Sequence, residues 1–167
     1  MDTSYCVNNL VKIDLTSLEK CEMIDKTRWS NDFSWEEIKV LAKHMFFCQA
    51  LKGMIISREG AIESFMCLIL EGTVKIMKED FGRNKKLITS LATGAVFGEM
   101  SLIDGSPRSA SIIANEDAIL LVLTKDKFFY LMEETPRLGL KLVLKVAKSL
   151  SLRLRQTSGV LIDYLEK

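Results

Sequence analysis

Residues Phe97-Gly98-Glu99-Met100-Ser101-Leu102-Ile103-Asp104-Gly105-Ser106-Pro107-Arg108-Ser109-Ala110-Ser111 put a glycine, a carboxylate, a short apolar turn of helix, a proline and an arginine into one connection between strands. A helix starting near Gly98 and Glu99 leaves its first N–H groups pointing outward unpaired, which suits an anion. Gly98 lets the backbone come close to such a ligand. Arg108 carries a planar fork of donors that can meet two phosphate oxygens, and the N–H groups of Ser109 and Ala110 can add to the cradle. A carboxylate beside a phosphate is repelled unless it accepts a hydrogen bond from a neighbouring hydroxyl, so Glu99 with Arg108 suits a ribose phosphate. The same two residues, nine positions apart, would also suit a surface ion pair worth under about 1 kcal/mol.

Glycines at 53, 60, 72, 82, 94, 98 and 105 cut the chain around this stretch into short pieces rich in Ile, Val, Leu and Phe. Short strands at regular turn spacing predict a closed or two-sheet β body. The expected strands lie near 46–51, 54–57, 64–70, 73–78, 86–91, 94–97, 109–115 and 118–124. Upstream, Ser34 and Glu37 spell a capping box, Phe33 and Ile38 occupy the staple positions, and Ile38, Leu41, Ala42 and Met45 recur at helical spacing, predicting a helix from about Ser34 to Met45. A shorter helix opens at Thr16 with Glu19 three places on. Downstream, Thr124 can cap a helix running to about Glu133. Thr135 then precedes Pro136 in the arrangement that opens another.

That last helix is long. Leu140, Ala147, Leu154 and Leu161 lie seven apart, with Val143 and Leu150 offset by three, a coiled-coil-like seam reaching to Thr157, Ser158 and the helix-weakening Gly159. The seam fits a homodimer, and equally leucines packed on the β body. Arg137, Lys141, Lys145, Lys148, Arg153 and Arg155 make the same helix basic, a solvated face or a surface for an acidic partner or nucleic acid.

The 97–111 stretch resembles the phosphate-binding cassette of the cyclic-nucleotide-binding domain family: F-G-E, a small or apolar residue, L, variable positions, then P-R, a small residue, A and S or T. Every position is filled from Phe97 to Ser111. Lys52-Gly53, Glu59-Gly60 and Leu70-Glu71-Gly72-Thr73-Val74 resemble the family's turn glycines, and the likeness covers residues 34–158. It implies a mainly β fold with flanking helices, a double-stranded β-helix (jelly roll) with N-terminal helices and a long C-terminal helix. The expected divisions are an N-terminal helical segment (1–33), a β-roll core with its flanking helices (34–135) and a C-terminal hinge or dimerisation helix and tail (136–167).

The resemblance further implies that Glu99 holds the ribose 2'-hydroxyl, Arg108 the cyclic phosphate, and Gly98, Met100, Ser101, Ser109 and Ala110 the rest of the cradle. Arg155-Gln156-Thr157-Ser158 is similar to the end of the long helix in catabolite-activator-type members, where a Thr-Ser pair meets the base across the dimer. Thr157 and Ser158 are thereby implied as base contacts, which tilts the expectation from cyclic GMP toward cyclic AMP; as residues alone they are polar positions ending an apolar seam. A regulatory module signalling through its last helix to an unidentified effector protein follows. With about eight residues after Gly159, no direct sequence-specific DNA binding is expected.

Composition sets the outer bounds. The 167 residues carry 23 Lys and Arg against 22 Asp and Glu, which argues against a surface built as a whole to attract nucleic acid. No stretch approaches the eighteen or so uncharged apolar residues of a membrane span and the start has no leader pattern, so a cytoplasmic protein with no membrane partner is expected. A metal-dependent oxygenase or isomerase on a similar body needs two or three histidines on adjacent strands. This chain has His44 alone, on a helix, so neither a metal nor an enzyme is expected. Cys6, Cys21, Cys48 and Cys67 form no C-x-x-C pair and are expected as reduced thiols.

Overall fold

Two antiparallel sheets form the body in the computed structural model, which describes residue 7 and residues 10–165, with side chains as far as 162. The strands are β1 (Val11–Lys12), β2 (Phe46–Ala50), β3 (Ile55–Ser57), β4 (Phe65–Glu71), β5 (Thr73–Glu79), β6 (Lys85–Ala92), β7 (Val96–Phe97), β8 (Ser111–Ala114) and β9 (Ala118–Thr124). The helices are α1 (Ser17–Asp25), α2 (Trp35–His44), α3 (Glu99–Asp104), α4 (Lys125–Glu134) and α5 (Pro136–Leu165), with a 3-10 turn at Arg28–Asp32. One sheet has the order β1-β2-β9-β4-β7, the other β3-β8-β5-β6. This is the jelly roll with flanking helices that the sequence predicts. The short strand β1, too brief to show an alternation, and the 3-10 turn are additions.

The core lies between the sheets. Phe65, Cys67 and Ile69 alternate along β4 and meet Leu120 and Val122 of β9 and Val74 of β5, all essentially inaccessible. The intervening Met66, Leu68 and Leu70 are also buried, so β4 is covered on both faces and reads as a continuous apolar run. In contrast, β6 is an edge strand and nearly every residue is exposed.

Local signals position the helices. Both capping boxes form: Thr16 accepts from the Glu19 N–H while the Glu19 carboxylate accepts from the Thr16 N–H, and Ser34 and Glu37 do the same. α5 opens at Pro136 directly after Thr135, as the sequence predicts, and the Thr135 hydroxyl donates to the Leu131 carbonyl at 3.0 Å at the end of α4. α5 also continues through Gly159 to Leu165, because a single glycine costs only about 1 kcal/mol in a helix otherwise rich in helix formers. Within α5 the buried residues are Leu138, Leu142 and Val146, whereas Leu140, Leu154 and Leu161 of the heptad row are exposed. By contact the chain divides into two compact units, residues 1–127 and 128–167.

Cys48 departs from the expectation of reduced thiols: it is disulfide-bonded, and linear spacing says nothing about which thiols meet in space. Cys21 and Cys67 are free and buried, and Cys6 lies outside the described residues.

The β4–β5 turn depends on Gly72. Its φ is +82°, and a Cβ there would lie 2.5 Å from the Asp117 carbonyl oxygen and 2.9 Å from the Ala118 Cα, both backbone atoms of the adjacent turn. Gly72→Ala is therefore expected to lower the unfolding free energy by about 2–4 kcal/mol, measured by urea denaturation.

Candidate functional site

β7 ends at Phe97 and α3 begins at Glu99, with Gly98 between them in the left-handed region at φ +78°. That conformation turns the chain sharply and brings the Gly98 carbonyl to the Arg108 side chain. A Cβ on Gly98 would fall 2.5 Å from Arg108 Nη1 and 2.7 Å from the Phe65 carbonyl oxygen, so the position has no room for a side chain. α3 closes at Gly105, also left-handed at φ +68°. The Ser106 N–H donates to the Asp104 carboxylate at 2.8 Å, starting the return toward Pro107 and Arg108.

Arg108 is held at both ends. Its backbone N–H donates to the Ala61 carbonyl at 2.9 Å, and its carbonyl accepts from the Gly60 N–H at 2.8 Å, tying the cassette to the β3–β4 loop. Its guanidinium points inward and the residue is 4% exposed. Nη1 donates to the Gly98 carbonyl at 2.9 Å and to Ser101 Oγ at 2.6 Å, and Nη2 donates to the Phe65 carbonyl at 2.9 Å. Nε meets the Glu63 carboxylate at 3.3 Å, and the same Glu63 oxygen accepts from the Ser57 hydroxyl at 2.5 Å. The Phe65 ring lies below, its centroid 4.2 Å from Cζ. Three neutral acceptors, one carboxylate and an aromatic face thus compensate a cation removed from water.

Glu99, in the first turn of α3, is fully buried, and its Oε2 accepts no hydrogen bond from the described residues. Ser101, one turn-position on, is buried with its hydroxyl donating to the Gly98 carbonyl at 3.2 Å while accepting from Arg108. Met100 points outward and is 44% exposed. Beyond Arg108, Ser109 is exposed and Ala110 partly so, and the Ser109 carbonyl accepts from Lys78 Nζ at 2.7 Å. Lys78 also pairs with Glu59 at 2.8 Å, which together with the Glu79 N–H holds the Glu59 carboxyl below its usual range. Burial pushes the Cys67 thiol far up, opposed by the positive charge of Arg108.

Among the residues expected to form the site, Gly98, Ser101 and Arg108 come into direct contact, with Glu99 between the first two. Arg108 forms an ion pair with Glu63 at 3.3 Å. Thr157 and Ser158 lie on α5 in the second unit, their hydroxyls donating to the carbonyls of Arg153 and Leu154 at 2.9 Å. Sequence reasoning missed Glu63, which lies 45 positions before Arg108 in an unpatterned loop. No group of three His, Cys, Asp or Glu side chains able to hold a metal occurs among the described residues.

The profile of the cyclic nucleotide-binding domain family matches residues 48–135. The cyclic AMP receptor protein of Thermus thermophilus is 31% identical over 99 residues, 59% of this chain and 46% of that protein. Human cGMP-dependent protein kinase 2 is 39% identical over 79 residues, 46% of this chain and 10% of that protein. The crystal structure of a cyclic nucleotide-binding domain from Methylobacillus flagellatus superposes with a TM-score of 0.78 at 31% identity, covering 89% of this chain and 83% of that one. The chain thus spans less than half the length of these two full-length relatives.

The role of Glu63 is testable without a ligand. Glu63→Gln keeps the shape and an acceptor but removes the charge that compensates Arg108. It is expected to destabilise the ligand-free protein by about 1–3 kcal/mol in chemical denaturation, less than a fully buried pair because the Glu63 side chain keeps 19% of its exposure.

Proposed function

The chain belongs to the cyclic nucleotide-binding domain family, and from that premise we propose that it is a non-catalytic regulatory sensor whose 97–111 cassette takes a cyclic nucleotide, cyclic AMP in preference to cyclic GMP. The observation that carries the reading is a buried arginine docked on the first turn of α3, beside a fully buried glutamate, in a cassette with every family position filled. In this proposal the ribose 2'-hydroxyl donates to Glu99, so the carboxylate is attracted to the sugar even though the phosphate repels it. The cyclic phosphate takes Arg108 and the N–H groups at the start of α3 and at Ser109 and Ala110, with Gly98, Met100 and Ser101 shaping the cradle.

Phosphate has to compete for a guanidinium that already has partners. Two of those partners are peptide carbonyls and one a hydroxyl, all neutral. A phosphate brings a full negative charge to the guanidinium and can meet it with two parallel bonds, which the neutral carbonyls and hydroxyl cannot, so it can replace them with a net gain. A nucleotide that does so separates Gly98 and Ser101 from Arg108 and thereby acts on α3. Differential affinity for the two arrangements of this network is what allows the ligand to bias the protein between states.

The output side of the proposal runs through α5. Its exposed row of Leu140, Leu154 and Leu161 is the surface for a homodimer, in which Thr157 and Ser158 reach the base and the tilt toward cyclic AMP originates. An effector protein reads the resulting change. The relatives are named for both nucleotides, a cyclic AMP receptor and a cGMP-dependent kinase, so base preference rests on that helix end. The cytoplasmic location stays part of the proposal, and no helix among the described residues is long and apolar enough to cross a membrane.

A second reading, a dimeric interaction module with an empty or differently filled pocket, is favoured by one observation, the internal partners that already occupy Arg108. Calorimetric titration separates the two. Saturable binding of cyclic AMP, tighter than cyclic GMP and weakened at least about tenfold by Arg108→Ala, is expected. Because Arg108 is buried, Arg108→Lys serves as the folded control and is expected to bind weakly while melting cooperatively. Absence of heat at millimolar nucleotide supports the second reading. Sedimentation velocity is expected to show a dimer that Leu154→Glu with Leu161→Glu converts to monomer without loss of helicity.

A further inference from the structure

A groove of about 670 Å³ opens between β1, α1, α2 and the start of β2, and it shares no residue with the cassette. Its floor includes Phe46, Phe47, Met45 and Ala42, its mouth the exposed Leu18 and the Trp35 indole. Four lysines border it: Lys12 from β1, Lys20 from α1, and Lys39 and Lys43 from α2, where Trp35, Lys39 and Lys43 follow one another at i, i+4 and i+8 along one helix face. No carboxylate is among its described lining residues.

The lysines are only partly neutralised. Lys12 lies 3.6 Å from Asp14 and Lys39 lies 2.8 Å from Glu36, both carboxylates being highly exposed. The Lys20 ammonium sits 5.8 Å from the centroid of the Phe47 ring, a cation against the groove's own aromatic floor. Lys43 points outward from the last turn of α2. The result is an apolar and aromatic slot with a rim of one sign, of a size within the range of about 300–1,000 Å³ typical of small-molecule sites.

We propose that this groove is a second ligand site, for a small organic anion with an apolar body, its carboxylate, sulfonate or phosphate at Lys20 and Lys43 and its body between Leu18 and Trp35. Chemistry favours an anion because a neutral apolar ligand would leave the lysine rim unused, and a purely ionic one would leave Trp35, Leu18 and the Phe46 ring wet. The small size of the slot and its bordering by four separate elements favour a compact molecule over an extended protein segment. The site is independent of the nucleotide reading, since its lining residues and those of the cassette do not overlap.

The test is fluorescence titration of the intact chain with 1-anilinonaphthalene-8-sulfonate at low ionic strength, followed by displacement with dodecanoate. Saturable uptake of one probe per chain, quenching of Trp35, and displacement by dodecanoate are expected. Lys20→Glu with Lys43→Glu should weaken binding at least about tenfold, and the exposed single change Lys43→Gln a few-fold, in line with the modest strength of exposed charge contacts. Trp35→Phe should remove the probe-dependent quenching, leaving only the emission of the buried Trp29, while leaving uptake of the probe. Melting temperature and cyclic nucleotide titration should be unchanged in Lys43→Gln, so a failure here is distinct from a failure of the nucleotide reading. The inference is overturned by no saturable uptake at about 1 mM probe, or by uptake indifferent to charge reversal in a folded variant. It is equally overturned if Trp35 resists acrylamide quenching in the free chain, which means another part of the chain fills the groove. Binding of polyglutamate in place of both small anions assigns the groove to an acidic protein segment and also overturns it.

Discussion

A guanidinium taken out of water governs the local architecture. Arg108 would be severely destabilising at 4% exposure without acceptors, and the chain provides four from two separate segments: the Glu63 carboxylate and Phe65 carbonyl, and the Gly98 carbonyl and Ser101 hydroxyl. Each acceptor exists because something else is fixed. Gly98 must be left-handed to aim its carbonyl, Phe65 must start β4 in register with Thr124 of β9, and Glu63 must be steadied by Ser57 at the end of β3. The arginine therefore links β3, β4 and the β7–α3 turn through a single charge. Its backbone bonds to Gly60 and Ala61 fasten the cassette to the same loop from the outside.

Much of this was legible because local chemistry agrees with the final structure. The glycine punctuation marked the strand boundaries from β2 to β9 within a few residues, since the turns need φ values that glycine adopts without strain, as at Gly53, Gly60, Gly72, Gly94 and Gly98. Both capping boxes were readable for the same reason, being three-residue contacts. The short helix α3 followed from Glu99 to Asp104 lying between two glycines.

What escaped the sequence is what depends on distance. Glu63 sits in a loop with no periodicity and acquires meaning only when β3 and β4 bring it to Arg108. Along α5 the leucine content exceeds one stripe. The sequence alone could not rank the row of Leu138, Leu142 and Val146 above the heptad row, and only the former is buried within the chain. Cys48 shows the same limit for covalent pairing.

The Arg108 network also bears on how any anion would be received. A site whose cation is exposed must desolvate it when the ligand arrives, a cost set against the new bonds. Here that desolvation has already occurred on folding, and the guanidinium is held by partners of unequal strength: three neutral acceptors on Nη1 and Nη2, and a carboxylate on Nε. The neutral contacts are the ones an incoming phosphate can exchange with gain, while the Nε contact to Glu63 can persist, since a guanidinium's edges are separate donors. Glu63 then acts on both sides of the balance. It stabilises the empty network, and it fixes the plane of the fork for a ligand at the other edge. Under the proposed function, the affinity of the cassette for a phosphate depends on Arg108 and also on how firmly Gly98, Ser101 and Phe65 hold it, and those three holds are properties of the turn at Gly98 and the start of β4.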